Sequence, residues 1–379
     1  MDLELFSIRP EMLTPGALVD HWRILESLGT RGSGALYRVE EVRRPGELRV
    51  LKLSFRAGEG LFEDQVPRLM VAHPHVARLH AYGRWVCPDG RFFYSVRDEV
   101  PGLALSAWME KTNPTFLQIA ALLGRLASAI DDLHARDTWH RELHPDNLQV
   151  REGDGEPVLM DLRAGGNEGL KTLLEMPLPA ELQVFRSPEA LRFLRTNHGR
   201  LHARYRYRPT DDLYSLGAIA YWLVTGHPPF SPGLPAEQRH TEIELRPPLA
   251  PWEVNPRVPK PLGAIILRLM SKLPEARSQT GESLSAELMV AVSAGARPLW
   301  ARRVFEWEQE PVEPGTMTGR IRRPEAPKVS SPPGPRLPRI VHFSPPSERQ
   351  AVGIEPPRAS LRRLSGESGE PLEPWSRVM

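Results

Sequence analysis

His140-Arg141-Glu142-Leu143-His144-Pro145-Asp146-Asn147-Leu148 is the stretch whose reading decides the fold. It gathers a carboxylate at Glu142, an imidazole at His144 and an amide at Asn147. Other short segments flank it in a definite order. Upstream, Leu28-Gly29-Thr30-Arg31-Gly32-Ser33-Gly34-Ala35-Leu36-Tyr37 is rich in glycine, and Val50-Leu51-Lys52-Leu53 sets a lysine in an apolar run. His73-Pro74-His75-Val76-Ala77-Arg78-Leu79 and Val100-Pro101-Gly102 come next. Downstream stand Met160-Asp161-Leu162-Arg163, Ser187-Pro188-Glu189, Asp211-Asp212-Leu213-Tyr214-Ser215-Leu216-Gly217 and Arg277.

Taken together across residues 16 to 297, these segments resemble the protein-kinase superfamily, and their phrasing is most similar to the bacterial serine/threonine protein kinases. The resemblance implies ATP and Mg²⁺ as cofactors. It assigns Gly29, Gly32 and Gly34 to the loop over the phosphates and Lys52 to the α/β-phosphates. Asp64, counted back from His73, is the expected acidic partner of Lys52. Asp161 and Asn147 are the expected metal ligands, and Glu142 stands where the family's proton-accepting aspartate would be. His144 stands where the lysine that steadies the transferring phosphate would be. Asp212 is expected to support the loop backbone, and Glu189 with Arg277 to form a buried ion pair.

The departures from the family pattern converge on the chemistry. Glu142 keeps a carboxylate but is one methylene longer than aspartate. His144 is mostly neutral near pH 7. Arg31 replaces the second loop glycine, Arg163 the glycine after Asp161, and Leu182 the threonine that bonds the catalytic residues. Pro67 falls inside the helix that should carry Asp64. Val50 takes a small alanine's place beside the adenine, Gln149 lies on a floor that is usually apolar, and Arg97 falls at the gatekeeper. A buried arginine or amide costs free energy unless it is paired.

Between Leu18 and Val100 the apolar residues come in short alternating runs, which predicts strands. From Phe116 the period changes to helical steps, as in Ile119, Leu122, Leu123, Leu126, Ala129, Ile130 and Leu133. The expected fold is therefore α+β and two-lobed like a protein kinase, with a small β-rich N-lobe at 16–100 and a larger α-helical C-lobe at 101–297. Residues 1–15 read as an N-terminal extension. Residues 298–379 read as a disordered Pro/Arg/Ser-rich tail, because such a composition buries too little apolar surface to offset ordering. Within it, Ser331-Pro332-Pro333-Gly334-Pro335-Arg336-Leu337-Pro338-Arg339 offers P-x-x-P frames to polyproline-reading domains.

The chain has 379 residues, 40% hydrophobic and 25% charged, with a net charge of +2. That balance gives no general pull toward nucleic acid. The single cysteine, Cys87, excludes an intramolecular disulfide and any multi-cysteine metal site. No apolar run approaches the roughly 18 residues that span a bilayer, and the first residues lack the layout of a signal peptide. A cytoplasmic protein without membrane association is expected. The leading functional expectation is a pseudokinase or strongly attenuated kinase, an ATP-binding regulator or scaffold in signalling that acts on a protein substrate or partner. An active kinase with Glu142 as base, and nucleotidyl transfer on the same fold, are the alternatives.

Overall fold

Register in the strand-rich lobe decides which side chains reach the cleft. The computed structural model describes residues 10–31, 34–57, 70–162, 180–197, 200, 203, 205–295, 297–309 and 319–325. Gly32, Asp64, Pro67, Arg163 and the P-x-x-P frames lie outside the described residues. Six strands form one antiparallel sheet: β1 (Leu18–Val19), β2 (Trp22–Arg31), β3 (Gly34–Glu41), β4 (Arg44–Ala57), β5 (Leu79–Cys87) and β6 (Gly90–Asp98). Their order is β1-β2-β3-β4-β6-β5.

Side chains alternate between the two faces of a strand. Ala35, Tyr37, Leu51, Leu53, Tyr94 and Val96 therefore share one face, and they are buried together as the lobe's core. On the other face Lys52 pairs with Leu36 of β3 and Ser95 of β6, and Val50 pairs with Arg97. Lys52 and Arg97 become diagonal neighbours on the face away from that core. The lobe starts earlier than the expected boundary at residue 16. Leu13 enters the same core, and its N–H donates to the Tyr37 hydroxyl at 3.2 Å.

A second sheet, β7 (Gly102–Ala104), β8 (Leu148–Arg151) and β9 (Pro157–Leu159), lies in the order β7-β8-β9. The helices that follow it are α1 (Leu105–Thr112), α2 (Phe116–His134), α3 (Pro188–Thr196), α4 (Pro209–Thr225), α5 (Ala236–Leu245), α6 (Lys260–Leu269) and α7 (Gly281–Ala294). A capping box opens α2, with Gln118 N donating to Thr115 Oγ1 and Thr115 N to Gln118 Oε1. The predicted stripe from Ile119 to Leu133 is buried. It packs against α4 and α7. Helix α4 is buried on nearly every side, so it is the post around which the large lobe is built. The two-lobed α+β arrangement expected from the sequence is the one observed.

The expected end of the folded part at residue 297 is corrected. Trp300, Val304 and Phe305 are buried in the large-lobe core. Among the described residues, the compact unit extends past residue 297. A hairpin of β10 (Glu306–Gln309) and β11 (Gly319–Arg322) follows these residues. Two buried amides satisfy the backbone of this strap: Asn113 Nδ2 donates to Phe305 O at 2.8 Å and Asn113 Oδ1 accepts from Phe305 N at 3.0 Å, while Asn255 Nδ2 donates to Val304 O at 3.0 Å. Three large apolar anchors in a polar, proline-rich context produce no periodic signal, which is why composition alone places the boundary too early.

The expected ion pair is present and bidentate. Arg277 Nη1 and Nη2 reach Glu189 Oε1 and Oε2 at 2.6 and 2.8 Å. The guanidinium also donates to Thr210 O and Ser271 O and lies over the Tyr214 ring. It ties the start of α3 to the start of α4. Replacing Arg277 with Met leaves a carboxylate without its cation and is expected to cost about 3–5 kcal/mol in urea unfolding. Adding Glu189→Leu to that variant is expected to recover part of the loss.

Candidate functional site

The loop from Trp139 to Leu148 is hung from one carboxylate. Asp212, in the first turn of α4, accepts from His140 N at 2.9 Å through Oδ2 and from Arg141 N at 3.0 Å through Oδ1. His134, the last residue of α2, bonds Oδ2 at 2.9 Å. Burial alone would raise the Asp212 carboxyl, but the His134 bond and the nearby histidine charges hold it below the usual range. The clamp matters because Arg141 sits in the left-handed region, at φ 64°, a conformation an L side chain adopts only when held there. The Arg141 guanidinium lies over the ring of Tyr207 at 4.8 Å and near Trp139 at 6.0 Å. The Arg141 guanidinium is thus stacked on aromatic faces.

Asn147 closes the loop. Its Nδ2 donates to Glu142 O at 2.8 Å, and its own carbonyl accepts from Met160 N at 2.9 Å, which brings Asp161 alongside. Glu142 and His144 are both buried, 5% and 4% exposed. Burial pushes the His144 imidazolium down to about 4, against the opposing charges of Glu142 and Asp146. At neutral pH the side chain in the expected phosphate-steadying position carries no charge.

Asp161 gathers two cations of the six-stranded sheet. Its φ of 53° is left-handed, and its carboxylate is 5% exposed. Lys52 Nζ donates to Oδ2 at 2.9 Å, and Arg97 Nε donates to Oδ1 at 3.1 Å. Arg97 was expected to be a costly buried charge; the structure pairs it. Sequence reasoning placed it at the gatekeeper but not among the site residues. The signal lies in the register, which sets it two residues beyond Ser95 on the strand beside Lys52. With a cation on each carboxylate oxygen, the donor set as arranged does not suit a divalent ion, whose oxygen ligands must face it directly.

The segment joining the lobes is also internally satisfied. Gln149 Nε2 donates to Val100 O at 2.5 Å, and Arg97 Nη1 donates to Asp98 O at 3.1 Å. Arg38 grips Glu99 with Nε and Nη2 at 2.9 and 2.6 Å. The polar floor residue Gln149 thus finds its partner in the connector. Gly29, at φ +90°, takes a conformation that suits glycine, and a Cβ on Gly34 would meet Leu53 O at 2.7 Å, so β3 approaches β4 there only as glycine. Leu182 lies in the single turn Ala180–Gln183 and is half-buried, without a hydroxyl to offer the loop. The structure therefore brings Lys52, Glu142, His144, Asn147 and Asp161 to one cleft, with Gly29 and Gly34 on the sheet beside it.

No protein-family model matches the chain. It is 25% identical over 328 residues to the serine/threonine-protein kinase PknH of Mycobacterium bovis, covering 84% of this chain and 52% of that protein. It is 26% identical over 313 residues to serine/threonine-protein kinase C of Synechocystis sp., covering 76% and 54%. The chain spans about half the length of the curated relatives it matches. Among solved structures, the PknI kinase domain of Mycobacterium tuberculosis superposes with a TM-score of 0.55 at 19% identity, over 74% of this chain and 99% of that one. The autoinhibited serine kinase domain of titin superposes with a TM-score of 0.57 at 15% identity, over 73% and 81%.

The lowered His144 has a consequence for stability. In the unfolded chain its ring takes up a proton near pH 6.5; in the fold it does so only near 4. Below pH 6.5 the unfolded state binds a proton the folded state refuses, so stability present above that pH is lost as pH falls toward 4. His73, His140 and His240, each lowered chiefly by burial, push the same way. Urea unfolding between pH 7.5 and 4.5 is expected to give a slope that His144→Gln makes shallower by about 2–3 kcal/mol over the range.

Proposed function

Because the chain belongs to the protein-kinase superfamily, as a homologue of bacterial serine/threonine protein kinases, we propose that it is a pseudokinase or strongly attenuated kinase. In this reading it binds nucleotide and acts in signalling as a regulator or scaffold of a protein partner. The observation that carries the reading is His144, buried and neutral in the place of a cation. Phosphoryl transfer depends on positioning and on neutralising the charge that spreads over the transferring group. A neutral imidazole does not supply that neutralisation. Glu142 adds a second deficit, since its extra methylene displaces the proton acceptor, and a misplacement of about an ångström costs on the order of 10²-fold.

A slow but active serine/threonine kinase with Glu142 as base is the second reading. It is favoured by the intact loop support, with Asp212 holding two backbone N–H groups and Asn147 bonded to the Glu142 carbonyl. In that reading the machinery's scaffold is retained and only its reacting groups have changed.

Incubation with radioactive ATP, followed by mass spectrometry of the protein, separates these readings. The expected outcome is no Asp161-dependent labelling of the wild-type chain. The double variant Glu142→Asp with His144→Lys is expected to label more, by on the order of 10²-fold. Strong wild-type labelling that disappears in both Asp161→Ala and Glu142→Ala would establish the slow kinase instead, and an adduct of nucleotide mass would mark nucleotidyl transfer.

A further inference from the structure

We propose that Arg97 takes the place of a divalent cation at Asp161, so that the cleft holds a nucleoside triphosphate without metal. The inference deepens the nucleotide-binding reading above and rests on it.

The arrangement is built by register rather than by chance contact. Lys52 pairs with Ser95 across the sheet, and Arg97 lies two residues farther along the same strand. The alternation of side chains then sends both cations to one face. Each takes a different oxygen of Asp161, at 2.9 and 3.1 Å. All three side chains are withdrawn from solvent: Lys52 is 16% exposed, Arg97 9% and Asp161 5%.

The guanidinium is also fixed from its other side, where Nη1 donates to the Asp98 carbonyl. A side chain held at both ends is not a surface arginine that happened to swing in. Arginine suits the task because it stays charged and offers a planar fork of donors. Among the described residues, Nη2 of Arg97 makes no hydrogen bond, and Lys52 makes only the bond to Asp161. At Asp161 two cationic side chains meet one carboxylate, with donors to spare for phosphate oxygens. Charge-assisted bonds of this kind are the strong ones.

A divalent ion at Asp161 would have to approach an oxygen already bonded to a cation. It would displace the guanidinium from its own carboxylate and then stand beside it as a like charge. The two arrangements compete for one carboxylate, and in the observed one each of its oxygens already faces a cation. In a metal-dependent site the same carboxylate contributes nothing to phosphate binding until the ion arrives. Here the positive charge is part of the chain.

The test is equilibrium binding, with no transfer step in the readout. Calorimetric titration of the full chain with ATP is done once in excess EDTA and once with saturating Mg²⁺. The expected result is binding in EDTA with a Kd that Mg²⁺ does not tighten. Arg97→Met is expected to weaken metal-free binding roughly tenfold, the worth of one charge-assisted hydrogen bond, and to make binding respond to Mg²⁺. Electron paramagnetic resonance with Mn²⁺ and ATP provides a second measurement. The wild-type protein is expected to leave the ion's signal as in free Mn·ATP, Arg97→Met to broaden it, and Arg97→Met with Asp161→Asn to restore it.

Wild-type binding that appears only with Mg²⁺ overturns the proposal, whatever the labelling experiment shows about transfer. No binding by the wild type in either condition, with binding by Arg97→Met in Mg²⁺, also overturns it. That outcome would make Arg97 a latch that closes the cleft.

Discussion

The carboxylate of Asp212 is the constraint on which the rest of the site depends. It is buried at the first turn of α4, and it holds the backbone N–H groups of His140 and Arg141 together with the ring of His134. A loop that must carry Arg141 at positive φ is not stable by its own local preferences. It persists because an anion, already committed by the surrounding helices, satisfies two donors at once. Around that point the large lobe is redundant in its support. The Glu189–Arg277 pair fixes α3 to the same end of α4, and the apolar stripe of α2 fixes the opposite flank.

Charge in the cleft follows a different logic from the scaffold around it. The residues that hold backbone in place are of the expected type, whereas those that would handle phosphate are redistributed. Positive charge is absent from His144, where burial keeps the ring neutral, and present at Arg97, where the sheet delivers it to Asp161. The total cationic content of the cleft is therefore conserved better than its placement. Phosphate binding depends mainly on total field, but transfer depends on where each charge lies relative to the moving group. In the proposed pseudokinase reading, a site altered in this way holds a ligand better than it turns it over.

The order of motifs made the fold and most of the cleft readable in advance, because each motif has a geometric reason to stand where it does. Lys52 meets Asp161, Asn147 bonds the Glu142 carbonyl, and Asp212 and Arg277 find their partners. The pairing of Arg97 was not readable. An arginine in a strand is expected at the surface, and only the register across β4 and β6 reveals that it shares a face with Lys52. His134 as a third partner of Asp212 was hidden for a similar reason, since it lies at the end of a helix whose apolar stripe drew the reading. The strap from Trp300 to Phe305 escaped because burial by a few anchors leaves no period in the sequence.

What the amino-acid sequence determined by itself is the two-lobed fold and the inventory of groups near the cleft. Periodicity and motif order are local properties, and they survive translation from chain to structure. What only the tertiary structure decided is the state of those groups. Whether an imidazole is charged depends on how much water remains around it, and whether a carboxylate is open to an ion depends on which cations the neighbouring strand brings within 3.1 Å. Both are properties of the packed environment, assembled from residues distant in sequence, and no linear pattern encodes them.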